Sequence, residues 1–284
     1  MSGNDIAKTS DDGLAFDDVG SWAEEKHALV SLYASLFSTA MKGKWGKLTY
    51  VELYAGSGRS RIRGTSRFIT GSPLNALTAE NPFDKYIFCE KDVGKLDALK
   101  SRVQRVSAGA DVTYIGGDCN KVVGDILAKI PAGSKSETAL SLCFVDPYGI
   151  GIKFETLRAL SSRFIDFLVL LAVYMDANRN YELYVSEDAT KVDEFLGSQN
   201  WRERWNVAKW NAVPFPEFLA TEFASSMESL DYLPTPLHRM KRMKSDEKNL
   251  PLYYLALFSR NDRGHKFWDQ VLKYGTGQKT LFEG

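Results

Sequence analysis

The apolar positions of this chain change their spacing twice, and each change marks a change of structure. From Trp22 to about Lys42 they recur at three- and four-residue steps, with Leu29, Leu32, Tyr33, Leu36 and Phe37 in one stripe. That spacing predicts an amphipathic helix. From residue 48 the pattern compresses into short continuous apolar runs at 48–56, 86–90, 111–117, 140–147 and 164–174. Runs of this kind predict strands covered on both faces, as in a parallel sheet between two helix layers. Helical segments over about 92–105 and 120–130 separate several of them, giving right-handed βαβ units. The predicted class is α/β, a doubly wound and mostly parallel sheet.

After the fifth run the pattern changes again. Residues 178 to about 230 keep a helical period that breaks at Pro214 and Pro216, which predicts a helical insert or cap. Two strand-like runs, 232–244 and 250–259, flank the polar segment SDEKN and predict an antiparallel hairpin. A last helix over 262–274 follows, with Asn261 or Asp262 as its N-cap. Residues 1–20, rich in Ser, Asp and Gly, read as a flexible tail ahead of one domain over 21–284. Trp201, Trp205 and Trp210 read as core beneath the insert rather than as stacking platforms for bases.

Composition adds few constraints. The chain has 284 residues, 44% of them hydrophobic, which suits a domain able to bury a large core without staples. Its 36 basic and 36 acidic residues cancel, so global charge announces no polyanion partner, while local patches stay open. Cys89, Cys119 and Cys143 lie far apart and beside apolar runs, which reads as buried thiols rather than a zinc or redox site. No metal is expected. The N-terminus has no signal-peptide pattern, and no run reaches the length of a membrane span, so a cytoplasmic location is expected.

The chemistry gathers where strands end. The first strand closes in Glu52-Leu53-Tyr54-Ala55-Gly56-Ser57-Gly58, whose glycines let a ligand approach the backbone and whose carboxylate suits a ligand ammonium. The second ends in Glu90-Lys91, where an acid can take both hydroxyls of a ribose. The third ends in Gly116-Gly117-Asp118-Cys119-Asn120, where Asp118 can accept from an adenine amino group. Ligands of open α/β sheets bind at these carboxyl ends, and three ligand-type elements fall there in order. The fourth ends in Asp146-Pro147-Tyr148-Gly149. There Asp146 can orient an amine or take its proton, the Pro147 carbonyl can accept a hydrogen bond, and Tyr148 offers a stacking face.

Together these blocks resemble class I S-adenosylmethionine-dependent methyltransferases. The resemblance implies a Rossmann-like methyltransferase sheet with S-adenosylmethionine as cofactor. Glu52, Tyr54, Ala55, Gly56, Gly58, Glu90, Lys91, Asp118 and Cys119 would lie on the cofactor side, and Asp146, Pro147 and Tyr148 at the acceptor. Tyr148-Gly149 departs from the Pro-aromatic pair of amino-methylating members, and Asp-Pro-aromatic-Gly is instead similar to tRNA guanine N2-dimethyltransferases. A wider resemblance covers most of the chain. Glu52 to Gly58, Thr70-Gly71-Ser72-Pro73-Leu74, Glu90, Gly117 to Asn120, Asp146 to Gly149 and Pro251-Leu252-Tyr253-Tyr254-Leu255 look like the three-Cys-motif partner family. Its members are bacterial proteins of this size, named for a neighbouring gene product that bears the three cysteines. The resemblance thus implies a three-cysteine protein as a possible partner and supplies no substrate.

One spacing stands apart. Glu90 follows Gly58 by 32 residues, where about twenty are usual. The excess is Arg59 to Gly71, with a late helix expected to begin at Ser72 as N-cap and Pro73 at its first position. Arg59, Arg61, Arg63 and Arg67 on this loop either grip phosphates of a nucleic acid or are simply solvated. His238 to Lys244 forms a second basic run that reads as a solvated hairpin. The leading expectation is a methyltransferase acting on a nucleic-acid base. The alternatives are a non-catalytic or partner-dependent subunit and a small-molecule methyltransferase.

Overall fold

Four of the five expected strands are buried along most of their length, while the run at 111–117 forms an edge strand in which only Ile115 is buried. The computed structural model describes residues 11–134, 137–245 and 249–275. In chain order it runs β1 (Asp17–Val19), α1 (Trp22–Met41), β2 (Lys47–Glu52), β3 (Arg59–Ile62), β4 (Phe68–Thr70), α2 (Ser72–Leu77), β5 (Lys85–Glu90) and α3 (Val93–Val106). It continues with β6 (Val112–Gly116), α4 (Val123–Lys129), β7 (Ala139–Val145), α5 (Phe154–Leu160) and β8 (Ile165–Leu171). A π-turn (Val173–Ala177) then leads into α6 (Tyr181–Val185), α7 (Lys191–Leu196), α8 (Trp201–Trp210) and α9 (Phe215–Glu228). A 3-10 turn (Leu237–Arg239), β9 (Lys241–Lys244), β10 (Pro251–Phe258) and α10 (Asp262–Gly275) complete it.

The main sheet has seven strands in the order β6-β5-β2-β7-β8-β10-β9. The first five are mutually parallel, and β10 runs antiparallel to both β8 and β9. This is the doubly wound sheet with a C-terminal hairpin that the apolar runs predict. Successive side chains of a strand point to opposite faces. Tyr50, Leu168, Leu255 and Leu257 therefore pack with α1, α2, α3 and α10 on one face. Val51, Val169, Ala256 and Phe258 pack with α4, α5 and the post-β8 helices on the other. Trp201 and Trp205 are core there, as their spacing predicts, whereas Trp210 is 90% exposed at the end of α8. Residues 246–248 of the expected SDEKN turn lie outside the described residues.

Two local expectations are corrected and a third is narrowed. Residues 1–10 of the expected tail are outside the described residues, but 11–20 are built into the fold. β1 pairs in parallel with β3, which pairs with β4, making a second, three-stranded sheet out of the tail and the arginine loop. Asp12 fastens this segment by a two-pronged contact to the buried Arg102 of α3, at 2.9 and 2.7 Å. That guanidinium holds the Asp12 carboxyl down at about 2. Ser72 does not cap α2. Gly71 occupies the N-cap position, and the Ser72 hydroxyl turns into the site described below. At the last helix, Asn261 is the cap, its Oδ1 accepting from Arg263 N–H at 2.9 Å.

One buried acid gives a pH-dependent prediction. Asp166, at the start of β8, is buried, and desolvation pushes its carboxyl up to about 7 against the donation of Ser259. Between its ordinary range near 4 and pH 7, the folded protein keeps a proton that the unfolded chain has lost. This contribution is therefore full below that window and is lost as pH rises through it. Asp166→Asn should stabilise the protein relative to wild type by roughly 1–3 kcal/mol at pH 8 and by little at pH 4.5. Denaturant unfolding of both proteins at the two pH values checks this, and an equal difference at both would contradict it.

Candidate cofactor and acceptor site

The carboxyl ends of β2, β5, β6 and β7 open into one cavity of about 880 Å³. Its floor is the turn after β2. Gly56 and Gly58 take φ of +59° and +81°, which side-chained residues rarely adopt. A Cβ on Gly58 would also come within 2.8 Å of Leu99, so this turn lies directly on the helix layer. Glu90 reaches across from β5. Its two carboxylate oxygens accept from the Gly56 and Asp92 backbone N–H groups at 2.8 and 2.9 Å, which fixes the acid at the cavity edge. At the end of β6, Asp118 lines the cavity, and its Oδ1 accepts from Asn120 N–H at 3.0 Å. Asn120 in turn ties this end to the loop after β7 by donating to the Gly151 carbonyl at 2.9 Å.

The end of β7, next to β2 in the sheet, carries the acceptor candidates. Asp146 pairs with Lys26 of α1 at 2.5 Å, both side chains largely buried. Glu52 sits nearby and is 1% exposed, its oxygens accepting from the Ser72 hydroxyl at 2.5 Å and the Tyr50 hydroxyl at 3.1 Å. Burial first, and the neighbouring Asp146 charge second, push Glu52 well above the usual carboxylate range. It therefore favours the neutral acid, where the sequence suggested a charged carboxylate. Tyr148 is 75% exposed at the mouth. Lys95 lies over its ring and pairs with Asp17 at 2.6 Å, so β1, α3 and the β7 loop meet there.

The loop after Asp146 is held from the segment after β8. Asp176 Oδ2 accepts from Ile150 N–H at 2.8 Å, while its Oδ1 accepts from the Tyr184 hydroxyl at 2.8 Å. A Cβ on Gly149 would lie 2.3 Å from Asp176 Oδ2, so only glycine fits against this clamp. Gly149→Ala should displace the loop and cost roughly 1–3 kcal/mol of stability. A melting temperature equal to wild type would contradict the clamp.

Most sequence-derived candidates thus share one cavity: Glu52, Tyr54, Ala55, Gly56, Gly58, Glu90, Lys91, Asp118, Asp146, Pro147 and Tyr148 all line it. Cys119 does not. Its side chain turns into the core beneath Tyr54. All three thiols are buried, with Cys89 pushed up to about 12 and Cys119 to about 11, chiefly by desolvation. The arginine loop also differs from a phosphate grip. Arg61 makes a two-pronged contact with Asp18, Arg67 another with Glu24, and Arg59 lies 3.5 Å from Asp12. The Arg63 side chain donates to the Asp18 carbonyl at 3.4 Å. Arg59 and Arg63 line the cavity, whereas Arg61 and Arg67 do not. Among the described residues no group of three or more His, Cys, Asp or Glu side chains is placed to hold a metal ion, and no helix is long and apolar enough to cross a membrane.

Lys26, Asp176, Tyr184 and Lys191 also line the cavity and carried no sequence signal, and Ser72, read from the sequence as a helix cap, lines it too. Lys26 and Asp146 are separated by 120 positions, and neither belongs to a spacing motif with the other.

No family model matches the chain, and no curated protein sequence matches it. Among solved structures it is similar to the O-methyltransferase from Bacillus cereus in complex with SAH, at 10% identity over 87% of this chain and 84% of that one, TM-score 0.47. It is similar to the O-methyltransferase TomG from Streptomyces achromogenes in complex with SAM, at 9% identity over 80% of this chain and 79% of that one, TM-score 0.43. A third is Trm1 from Pyrococcus horikoshii with S-adenosyl-L-methionine, at 10% identity over 87% of this chain but 58% of that one, TM-score 0.43. The chain's own sheet order defines its class: a Rossmann-like α/β fold with a mostly parallel seven-stranded sheet that ends in an antiparallel hairpin.

Proposed function

We propose that this protein is an S-adenosylmethionine-dependent methyltransferase whose acceptor is a base in nucleic acid. The observation that carries the reading is the convergence of the Gly56–Gly58 turn, Glu90, Asp118 and Asp146 on one cavity at adjacent strand ends. These residues fit the cofactor. The space above Gly56 is open, the nearest atom to a Cβ there being Asp17 Oδ2 at 3.9 Å, so backbone can meet the methionine end. Glu90, already oriented by two backbone N–H groups, has lone pairs left for ribose hydroxyls. Asp118 faces the place of the adenine.

The cofactor, when bound, supplies an electrophilic methyl group. The chain's own residues then have only to align the acceptor and exclude water. Lys26 holds Asp146 in place through one carboxylate oxygen, so that the other can orient an acceptor amine or take its proton. The exposed face of Tyr148 is available to stack a base. With three of the four arginines paired to carboxylates, the nucleic-acid reading rests on the Asp146 block and not on the arginine loop.

Resemblance to the three-Cys-motif partner family supports a second arrangement, in which a three-cysteine protein completes the enzyme. The exposed Trp210 and Val207 of α8 favour a protein contact on the insert. Incubating the chain with methyl-labelled S-adenosylmethionine and fractionated cell extract tests both. Label in the nucleic-acid fraction is expected. Label confined to small molecules would overturn the acceptor class, and label that requires added three-cysteine protein would establish the second arrangement.

A further inference from the structure

The segment that follows β8 builds part of the cavity wall through Met175, Asp176, Tyr184 and Lys191. Lys191, on α7, is half-buried and stands against the loop after Asp146: a Cβ on Gly151 would lie 3.9 Å from its Nζ. The other lining cations are largely committed. Lys26 pairs with Asp146, Arg59 with Asp12, and Arg63 leans on Asp18. Lys91 and Lys191 make no ion pair among the described residues, and Lys91 follows Glu90 on the cofactor side. An ammonium without a counter-charge on the wall of a ligand cavity suits an anion that arrives with the ligand. On the reading above, the adenosyl group takes the ends of β2, β5 and β6 and carries no anion toward α7.

We propose that Lys191 is the phosphate-binding residue of the acceptor subsite. Gly151, whose Cβ position has only the Lys191 Nζ within 4 Å, leaves the wall open beside the ammonium, so one nucleotide lies with its base toward Asp146 and its phosphate toward α7. The Tyr184–Asp176–Ile150 hydrogen bonds hold that wall in register with the Asp146 loop. The recognised chemistry is a single phosphodiester attached to a base, which RNA and DNA both offer. This rests on the methyltransferase reading, and the experiment separates the two.

The protein saturated with S-adenosylhomocysteine is titrated against a fluorescent, mixed-sequence single-stranded dodecamer, as RNA and as DNA, over a series of salt concentrations. Wild type, Lys191→Ala and Lys191→Arg are compared, and S-adenosylhomocysteine affinity is measured separately for each. Lys191→Ala should weaken oligonucleotide binding about five-fold and flatten the slope of log K against log salt by about 0.7, the loss of one phosphate contact. Lys191→Arg should restore both, and cofactor affinity and melting temperature should not move. The tighter of the two oligonucleotides identifies the acceptor polymer. An unchanged affinity and slope in Lys191→Ala would overturn the proposal, as would wild type that binds S-adenosylhomocysteine but neither oligonucleotide. Failure to bind S-adenosylhomocysteine would instead overturn the methyltransferase reading on which it rests.

Discussion

Asp146→Ala is expected to abolish methyl transfer, by at least about 100-fold, while leaving S-adenosylhomocysteine affinity within about three-fold of wild type. The two effects separate because Asp146, the proposed acceptor residue, follows β7 and is held by Lys26, whereas the Gly56 turn follows β2 and Glu90 ends β5. The fold should survive. Removing one member of a buried ion pair ordinarily strands the other, but the Lys26 charge already acts on Glu52, which can ionise and take it over. Asp146→Asn keeps the shape of the side chain and removes its charge. It should lose transfer nearly as fully if Asp146 takes a proton or holds a cationic acceptor, and much less if it only donates shape. Single-turnover transfer and calorimetric binding on the same preparations check this. A parallel loss of cofactor affinity in Asp146→Ala would place Asp146 against the cofactor instead.

Glu90→Ala is expected to weaken S-adenosylhomocysteine binding by about 10- to 100-fold, roughly 1.4–2.8 kcal/mol. Two losses combine. The acceptor for ribose hydroxyls disappears, and so does the carboxylate that holds the Gly56 N–H and thereby the glycine turn. Glu90→Gln retains an oxygen for one of these bonds and should fall between wild type and alanine. Calorimetry on the three proteins gives the order directly, and an alanine variant that binds like wild type would remove Glu90 from the cofactor site.

The parts of this molecule that were legible in its sequence are those whose signal is local. β2, β5, β7 and β8 announce themselves because strands buried on both faces must be apolar at every position. Glu90 and Asp146 were legible because they end or follow such strands, and Asp118 because it follows the glycines that close the edge strand β6. The three-stranded sheet of β1, β3 and β4 was not. Its strands are three or four residues long, and β1 forms from a segment whose ties, such as Asp12 to Arg102 across 90 positions, exist only in three dimensions. The same separation hid Lys26 behind Asp146. The arginines of the loop looked available because their partners, Asp12, Asp18 and Glu24, lie in or beside what the sequence presents as a tail. Cys119 shows the limit of reading a block by adjacency: Asp118 faces the cavity and its neighbour faces the core.

The most direct test is calorimetric titration of the purified protein with S-adenosylhomocysteine and S-adenosylmethionine. One site of micromolar affinity is predicted, with an added stability of about 2.7 kcal/mol when ligand stands at 100 times its dissociation constant. No heat of binding for either ligand, together with an unmoved melting temperature, would contradict the assignment of this cavity to that cofactor.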